Sequence, residues 1–177
     1  PVPVVGWPSL GGDGIRHMAR EKIPVTAAVR VLRAGRVVFT DHCYAYQARG
    51  GTAVSSRELG VDERVIVKTL VMEDERRQPL IVLMHGDCEV STGKLARHLG
   101  VKTVAVCHPD VASRHSGYLV GGTSPFGTRK AMPVYLERSI LDLEKIYING
   151  GRRGYLVGIA PQVLVDLLEP ELVDVAV

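Results

Sequence analysis

Lys68 lies inside the run Val65-Ile66-Val67-Lys68-Thr69-Leu70-Val71-Met72, which is apolar on both faces of any strand it forms. An ammonium in that setting either meets an anionic or polar partner or reaches along its own stem to water from an edge position. In the first case the chemistry is contact with a phosphate or sugar of a ligand. A second group of residues follows 49 positions on, in Gly117-Tyr118-Leu119-Val120-Gly121-Gly122-Thr123-Ser124-Pro125-Phe126-Gly127. Paired glycines, two hydroxyls and a proline-set turn can expose consecutive backbone N–H groups, a cradle for phosphate oxygens or a developing oxyanion. The same composition also makes an ordinary tight turn. The spacing matches neither a P-loop, because Lys130 stands outside GxxxxGK[ST], nor the dinucleotide fingerprint GxGxxG. A third group, Asn149-Gly150-Gly151-Arg152-Arg153-Gly154, puts two fixed positive charges on a glycine turn. Alone it reads as a solvated charged turn; beside the second group it becomes a phosphate contact.

Other chemistries find less support. There is no GxSxG, and Thr123 or Ser124 as a nucleophile needs a base such as His108 or His115 beside it. His85-x-x-Cys88 has ligand-like spacing, but His42-Cys43 and Cys107-His108 are direct neighbours that diverge on strands. No metal and no cofactor is expected.

The elements that must position these residues read as follows. Thr26 caps a short helix ending near Gly35, and Val37 to Tyr46 is a strand. Ser55 and Ser56 open a helical turn stopped by Gly60. Val65–Met72 and Pro79–Met84 form a buried hairpin around a charged turn. Ser91 or Thr92 caps a helix through Leu99, Val101 to Val106 is a strand, and a helix runs from Pro109 to Ser116. Tyr118 to Phe126 is expected as a strand entering a turn; Val134–Leu136, Lys145–Ile148 and Tyr155–Ile159 are further strands. Ala160–Leu168 is a helix with Pro161 in its first turn. Strands and helices without strict alternation indicate an α+β domain built on a mixed sheet.

The chain has 177 residues, 46% hydrophobic and 23% charged, which suits one globular domain. Residues 1–23, rich in Gly and Pro, read as an N-terminal extension without a catalytic role, and residues 24–177 as the domain. A net charge of +3 is too low for a protein coating a long duplex, yet allows a local polyanion contact. Three cysteines without CxxC spacing fit a reducing compartment. The opening PVPVVGWPSLGGDG is neither basic nor steadily apolar, and no membrane span is evident. A cytoplasmic location is expected.

Val67-Lys68-Thr69-Leu70, the Gly117–Gly127 segment and Gly150-Gly151-Arg152-Arg153-Gly154, in this order, resemble the YbaK/prolyl-tRNA editing family, which includes the ProX-like aminoacyl-tRNA deacylases. The resemblance covers Val25 to Val177. It implies a mostly antiparallel, barrel-like sheet flanked by helices. It also implies trans-editing hydrolysis of mischarged aminoacyl-tRNA, typically tRNA for proline carrying Cys or Ala. On that resemblance Lys68, Gly121 and Gly122 are the catalytic positions. Lys68 matches the family's essential lysine, and Gly121 and Pro125 match its GxxxP loop. Tyr44, Thr123, Ser124, Pro125, Gly127, Gly151, Arg152 and Arg153 are the expected substrate-binding residues. The implied partners are the tRNA acceptor end with its 3′-terminal aminoacyl-adenosine, and prolyl-tRNA synthetase. Arg129 and Lys130 join Arg152 and Arg153 as expected phosphate contacts. One departure is Leu156, which stands where some relatives carry an acid. The other reading is a binding module of the same fold that holds a nucleotide or acceptor end without turnover.

Overall fold

The computed structural model of the protein describes residues 23–177; apart from Ile23, the expected extension lies outside them. At the centre is the hairpin of β2 (Ile66–Asp74) and β3 (Pro79–His85), paired from Val67↔His85 to Glu73↔Pro79. Its turn is closed by the Asp74 carboxylate, which accepts from the amides of Arg76 and Gln78 at 2.8 and 2.9 Å. Around it the sheet runs β1 (Thr40–Cys43), β7 (Tyr155–Ile159), β6 (Ile146–Arg152), β2, β3, β5 (Val134–Glu137), β8 (Glu171–Val173). β1–β7, β7–β6 and β2–β3 are antiparallel; β6–β2, β3–β5 and β5–β8 are parallel. A short strand, β4 (Val104–Val106), adds an antiparallel pair to β2. The sheet is therefore mixed and mostly antiparallel as expected, but it does not close: β1 and β8 stand at its two ends. The barrel-like form is corrected to an open sheet.

The edge of β2 that faces away from β3 is shared by two strands. β6 lies beside Ile66 and Val67, and β4 beside Met72 to Asp74. Lys68 to Leu70 are left between them, since the Cys107 amide beyond β4 donates to the Val71 carbonyl at 3.0 Å. This gap in the sheet positions the candidate site.

Five α-helices of seven to nine residues are described: α1 (Ala27–Ala34), α2 (Gly51–Leu59), α3 (Thr92–Leu99), α4 (Pro109–Ser116) and α5 (Gln162–Leu168). None is long and apolar enough to cross a membrane. Thr26 caps α1 by accepting from the Val29 amide at 3.1 Å, and Ser91 caps α3 through Lys94 at 3.4 Å. Such short helices are stable only through packing. α1 buries Ala28, Val29 and Leu32 with Val67, Ile81, Leu83, Phe126 and Ile148 on one face of the sheet. On the other face α3 buries Leu95 and Ala96 with Met72, Val82, Met84 and Val173. Each fully buried aliphatic or aromatic side chain contributes about 1.5–3 kcal/mol.

Three expected elements differ. Val37–Tyr46 shortens to Thr40–Cys43. Tyr118–Phe126 is a loop, because it is tied to itself rather than to a neighbouring strand. The Tyr118 amide donates to Ser116 Oγ at 3.1 Å and its hydroxyl to the Phe126 carbonyl at 2.6 Å, while the Gly122 amide donates to Leu119 at 2.8 Å. α2 begins at Gly51, earlier than Ser55, with no side-chain cap to mark its start.

Candidate active site

The loop after α4 is a closed device. At its stem the amides of Arg129 and Lys130 donate to the carbonyls of Ser116 and His115 at 3.0 and 2.9 Å. Inside, Phe126 is fully buried in the α1-side core and anchors the chain between stem and tip. At the tip, Gly121 has φ +91° at the third position of the Leu119–Gly122 turn, where a positive φ favours glycine. Thr123 and Ser124 are buried, and their backbone N–H groups have no acceptor among the described residues. Buried amides without an acceptor are rare, and they suit an oxygen brought by a ligand.

The second glycine turn is locked to this tip. A Cβ built on Gly122 would lie 2.7 Å from the Arg153 nitrogen and 2.9 Å from the Arg152 carbonyl carbon, so only glycine permits the approach. The Arg153 Nε–H donates to the Val120 carbonyl at 2.9 Å. Asn149 joins both turns: its Nδ2 donates to the Gly121 carbonyl at 3.2 Å, and its Oδ1 accepts from the amides of Gly151 and Arg152 at 2.8 and 3.2 Å. The register between Asn149 and Arg152 shifts in a bulge, which turns the strand toward the loop. Thr26, the α1 cap, donates from its hydroxyl to the Gly150 carbonyl and so ties the same turn to the helix.

Lys68 lies on β2 beside the gap in the sheet. Its Nζ donates to the Cys88 carbonyl at 2.5 Å, so the half-buried ammonium has a polar partner within the chain. The last parallel pair between β2 and β6 is Val67↔Ile148. Lys68 and Asn149 are the next positions on these strands, and the strand alternation sends both side chains to the face opposite the α1 core. Lys68 therefore shares a face with the asparagine that holds Gly121.

Of the expected substrate-binding residues, Tyr44 lines a groove with Arg152, Arg153 and Gly154. Its backbone N–H donates to the Gly154 carbonyl at 2.9 Å. Burial first, and then the neighbouring Tyr46, push its hydroxyl above the ordinary tyrosine value, which keeps it a donor. Gly151 has φ +95°, and a Cβ there would press Tyr118 and Thr26. Pro125 and Gly127 carry the loop back to α1, with Gly127 against Ala27. Arg129 and Lys130 sit at the loop's stem, apart from Arg152 and Arg153 at its tip. Leu156 is buried, paired with Asn149 and His42 on adjacent strands.

Two residues at the site escaped the sequence reading. Tyr46 lies against the double glycine, its hydroxyl 2.7 Å from where a Gly121 Cβ would be, and Arg153 lies over its ring at 5.3 Å. Asn149 was visible only as a turn former, although an Asn preceding two glycines is the signal for a side chain bonding to its own turn. The nitrogens of His85 lie within hydrogen-bond distance of the Arg64 carbonyl, at 2.8 Å, and Ser139 Oγ, at 2.9 Å. Ser124 Oγ accepts from the Phe126 amide at 3.3 Å, and among the described residues neither His108 nor His115 bonds to it. Burial first, then Lys130 and Arg114, hold the His115 imidazole below its ordinary value.

The chain is similar to known proteins. The model of the aminoacyl-tRNA editing domain matches residues 51–167. The protein EbsC of Enterococcus faecalis, which bears the name of a putative Cys-tRNA(Pro)/Cys-tRNA(Cys) deacylase, is 29% identical over 160 residues, covering 89% of this chain and 98% of that one. A proline–tRNA ligase of Stenotrophomonas maltophilia is 28% identical over 121 residues, 66% of this chain but 21% of the ligase. A crystal structure described as a putative trans-editing enzyme for prolyl tRNA synthetase superposes with a TM-score of 0.73. It is 22% identical and covers 86% of this chain and 98% of that one, a likeness of fold.

Proposed function

The chain belongs to the aminoacyl-tRNA editing domain family, and from that premise we propose that residues 24–177 form an editing unit. It hydrolyses the ester between a wrongly attached small amino acid and the 3′-terminal adenosine of tRNA. The observation that carries the reading is the mutual locking of the two glycine turns, with Lys68 on the face of the asparagine that joins them.

Water adds to the ester carbonyl carbon, the carbon–oxygen bond to the ribose breaks, and the ribose oxygen takes a proton. Free amino acid and uncharged tRNA result. An aminoacyl ester is already activated, so holding it in place and stabilising the oxyanion supply most of the acceleration. The amides of Thr123 and Ser124 are the oxyanion donors, the Gly121–Gly122 turn holding them in place. Lys68, fixed through the Cys88 carbonyl, meets the terminal adenosine and its ester. Tyr44, Arg152 and Arg153 line the approach, with Arg129 and Lys130 further along the acceptor end. The name borne by EbsC favours Cys as the amino acid removed and tRNA for proline as its carrier, and the likeness to a proline–tRNA ligase favours prolyl-tRNA synthetase as a partner.

The test is deacylation of a panel of tRNAs charged with Cys, Ala, Ser, Thr and Pro. Lys68→Ala is expected to lower kcat/KM at least about 100-fold, the scale of losing one charge-stabilising donor, with an unchanged circular dichroism spectrum. Full activity in that folded variant rejects the site. Tight acceptor-end binding with no turnover on any member of the panel supports the binding-module reading instead.

A further inference from the structure

The carbonyl that holds Lys68 belongs to a loop, Gly86 to Val90, whose two ends are pinned by one buried carboxylate. Glu137, 4% exposed on β5, accepts at Oε2 from the amides of Val175 and Ala176, at 2.8 and 3.0 Å. That segment continues as a clamp on the far end of the loop. The Ser91 amide donates to the Val175 carbonyl at 2.8 Å, and Glu89 and Val177 exchange amide–carbonyl bonds at 2.9 and 3.0 Å. The other oxygen of the carboxylate turns to the near end. Ser139 Oγ lies 3.2 Å from Oε1 and 2.9 Å from His85 Nε2. His85, with no exposed surface, is the last residue of β3, pairs with Val67 beside Lys68, and donates through Nδ1 to the Arg64 carbonyl at 2.8 Å.

We infer that Glu137 is a positioning residue for Lys68: one carboxylate fixes both flanks of the loop that presents the Cys88 carbonyl. A buried acidic side chain is retained at a cost in desolvation, and here its links run toward both ends of the loop. The inference rests on the role proposed for Lys68, because a lysine stem with four rotatable bonds is poorly placed unless its head is held. Displacing the carbonyl displaces the ammonium.

The experiment compares Glu137→Ala, Glu137→Gln and Ser139→Ala in the whole chain, reading kcat and KM for deacylation and amide hydrogen exchange at Cys88, Glu89 and Val177. Glutamine keeps the links, its oxygen accepting from Val175 and Ala176 and its NH₂ donating to Ser139. It is expected within about threefold of the parent. Glu137→Ala is expected to lower kcat about 10–100-fold, the range for removing a group that orients a functional side chain, with KM changed less than about threefold and faster exchange in the loop. Folded Glu137→Ala with unchanged kcat and unchanged exchange overturns the inference. If that variant does not fold, Ser139→Ala decides it: slower turnover with faster exchange at Cys88 supports the anchor, and parental values for both reject it. Should Lys68→Ala itself stay active, the role of Lys68 falls, and the exchange rates still judge whether Glu137 holds the loop.

Discussion

At the scale of single residues, the protein spends its unusual chemistry on holding groups still. Lys68 is bonded to a carbonyl and Arg153 to Val120 and the ring of Tyr46; neither charge is left to wander. Thiols follow the opposite rule. Cys107 is buried, and desolvation, followed by the nearby Glu73 carboxylate, pushes its thiol up to about 11. Because the thiolate is the reactive form, Cys107 is expected to resist iodoacetamide at pH 8 while exposed Cys43 is modified. Peptide mass spectrometry over a time course measures this, and equal labelling of the two would show that the Cys107 pocket is open. Lys68 was legible because a charge in an apolar run has few explanations. Glu137 was not, since a glutamate ending a short strand has no such contrast in the sequence; its burial depends on Val175 and Ala176, 38 and 39 positions away.

At the scale of elements, the double glycine and the arginine turn work as one part. Gly122→Ala is expected to force them apart, because the added methyl would meet backbone rather than a movable side-chain end. Activity should fall at least about 100-fold if the turn moves by an ångström, while α1 and the hairpin remain intact by circular dichroism. A variant with parental turnover would mean that the close approach is dispensable. The helices and the β2–β3 hairpin were readable from caps, glycine stops and apolar runs, which act locally. The loop over 118–126 was misread as a strand, since its apolar residues have strand-like composition. What defeats the strand is long-range: Phe126 is buried against α1, and the tip is claimed by Asn149.

At the scale of the whole molecule, titratable groups near the sheet edges couple stability to pH. His42, between Thr40 and Tyr147, has its imidazole held below the ordinary histidine value by burial first and then by Lys145; His115 is shifted the same way. The folded form therefore binds fewer protons than the unfolded one. Its stability is fully present above about pH 6.5 and declines as the pH falls below that value. Urea midpoints should be lower at pH 5.5 than at pH 7.5, and His42→Gln should reduce the difference; a midpoint that rises on acidification would contradict the assignment. Fold class was legible from the mixture of elements, but closure was not, because it depends on whether β1 and β8 meet. The break between β6 and β4 along β2 leaves three residues, Lys68 to Leu70, without a backbone neighbour on that edge, Val71 being bonded by the Cys107 amide. At about 3.3 Å per residue this is a break about 10 Å long, and its length is ruled by where two unrelated strands happen to stop. Extending the pairing beyond Cys107 by one residue toward Lys68 would shorten the break by a single step of that ruler. On the role proposed for Lys68, the room beside its ammonium is thus set by the frame as well as by the side chains around it.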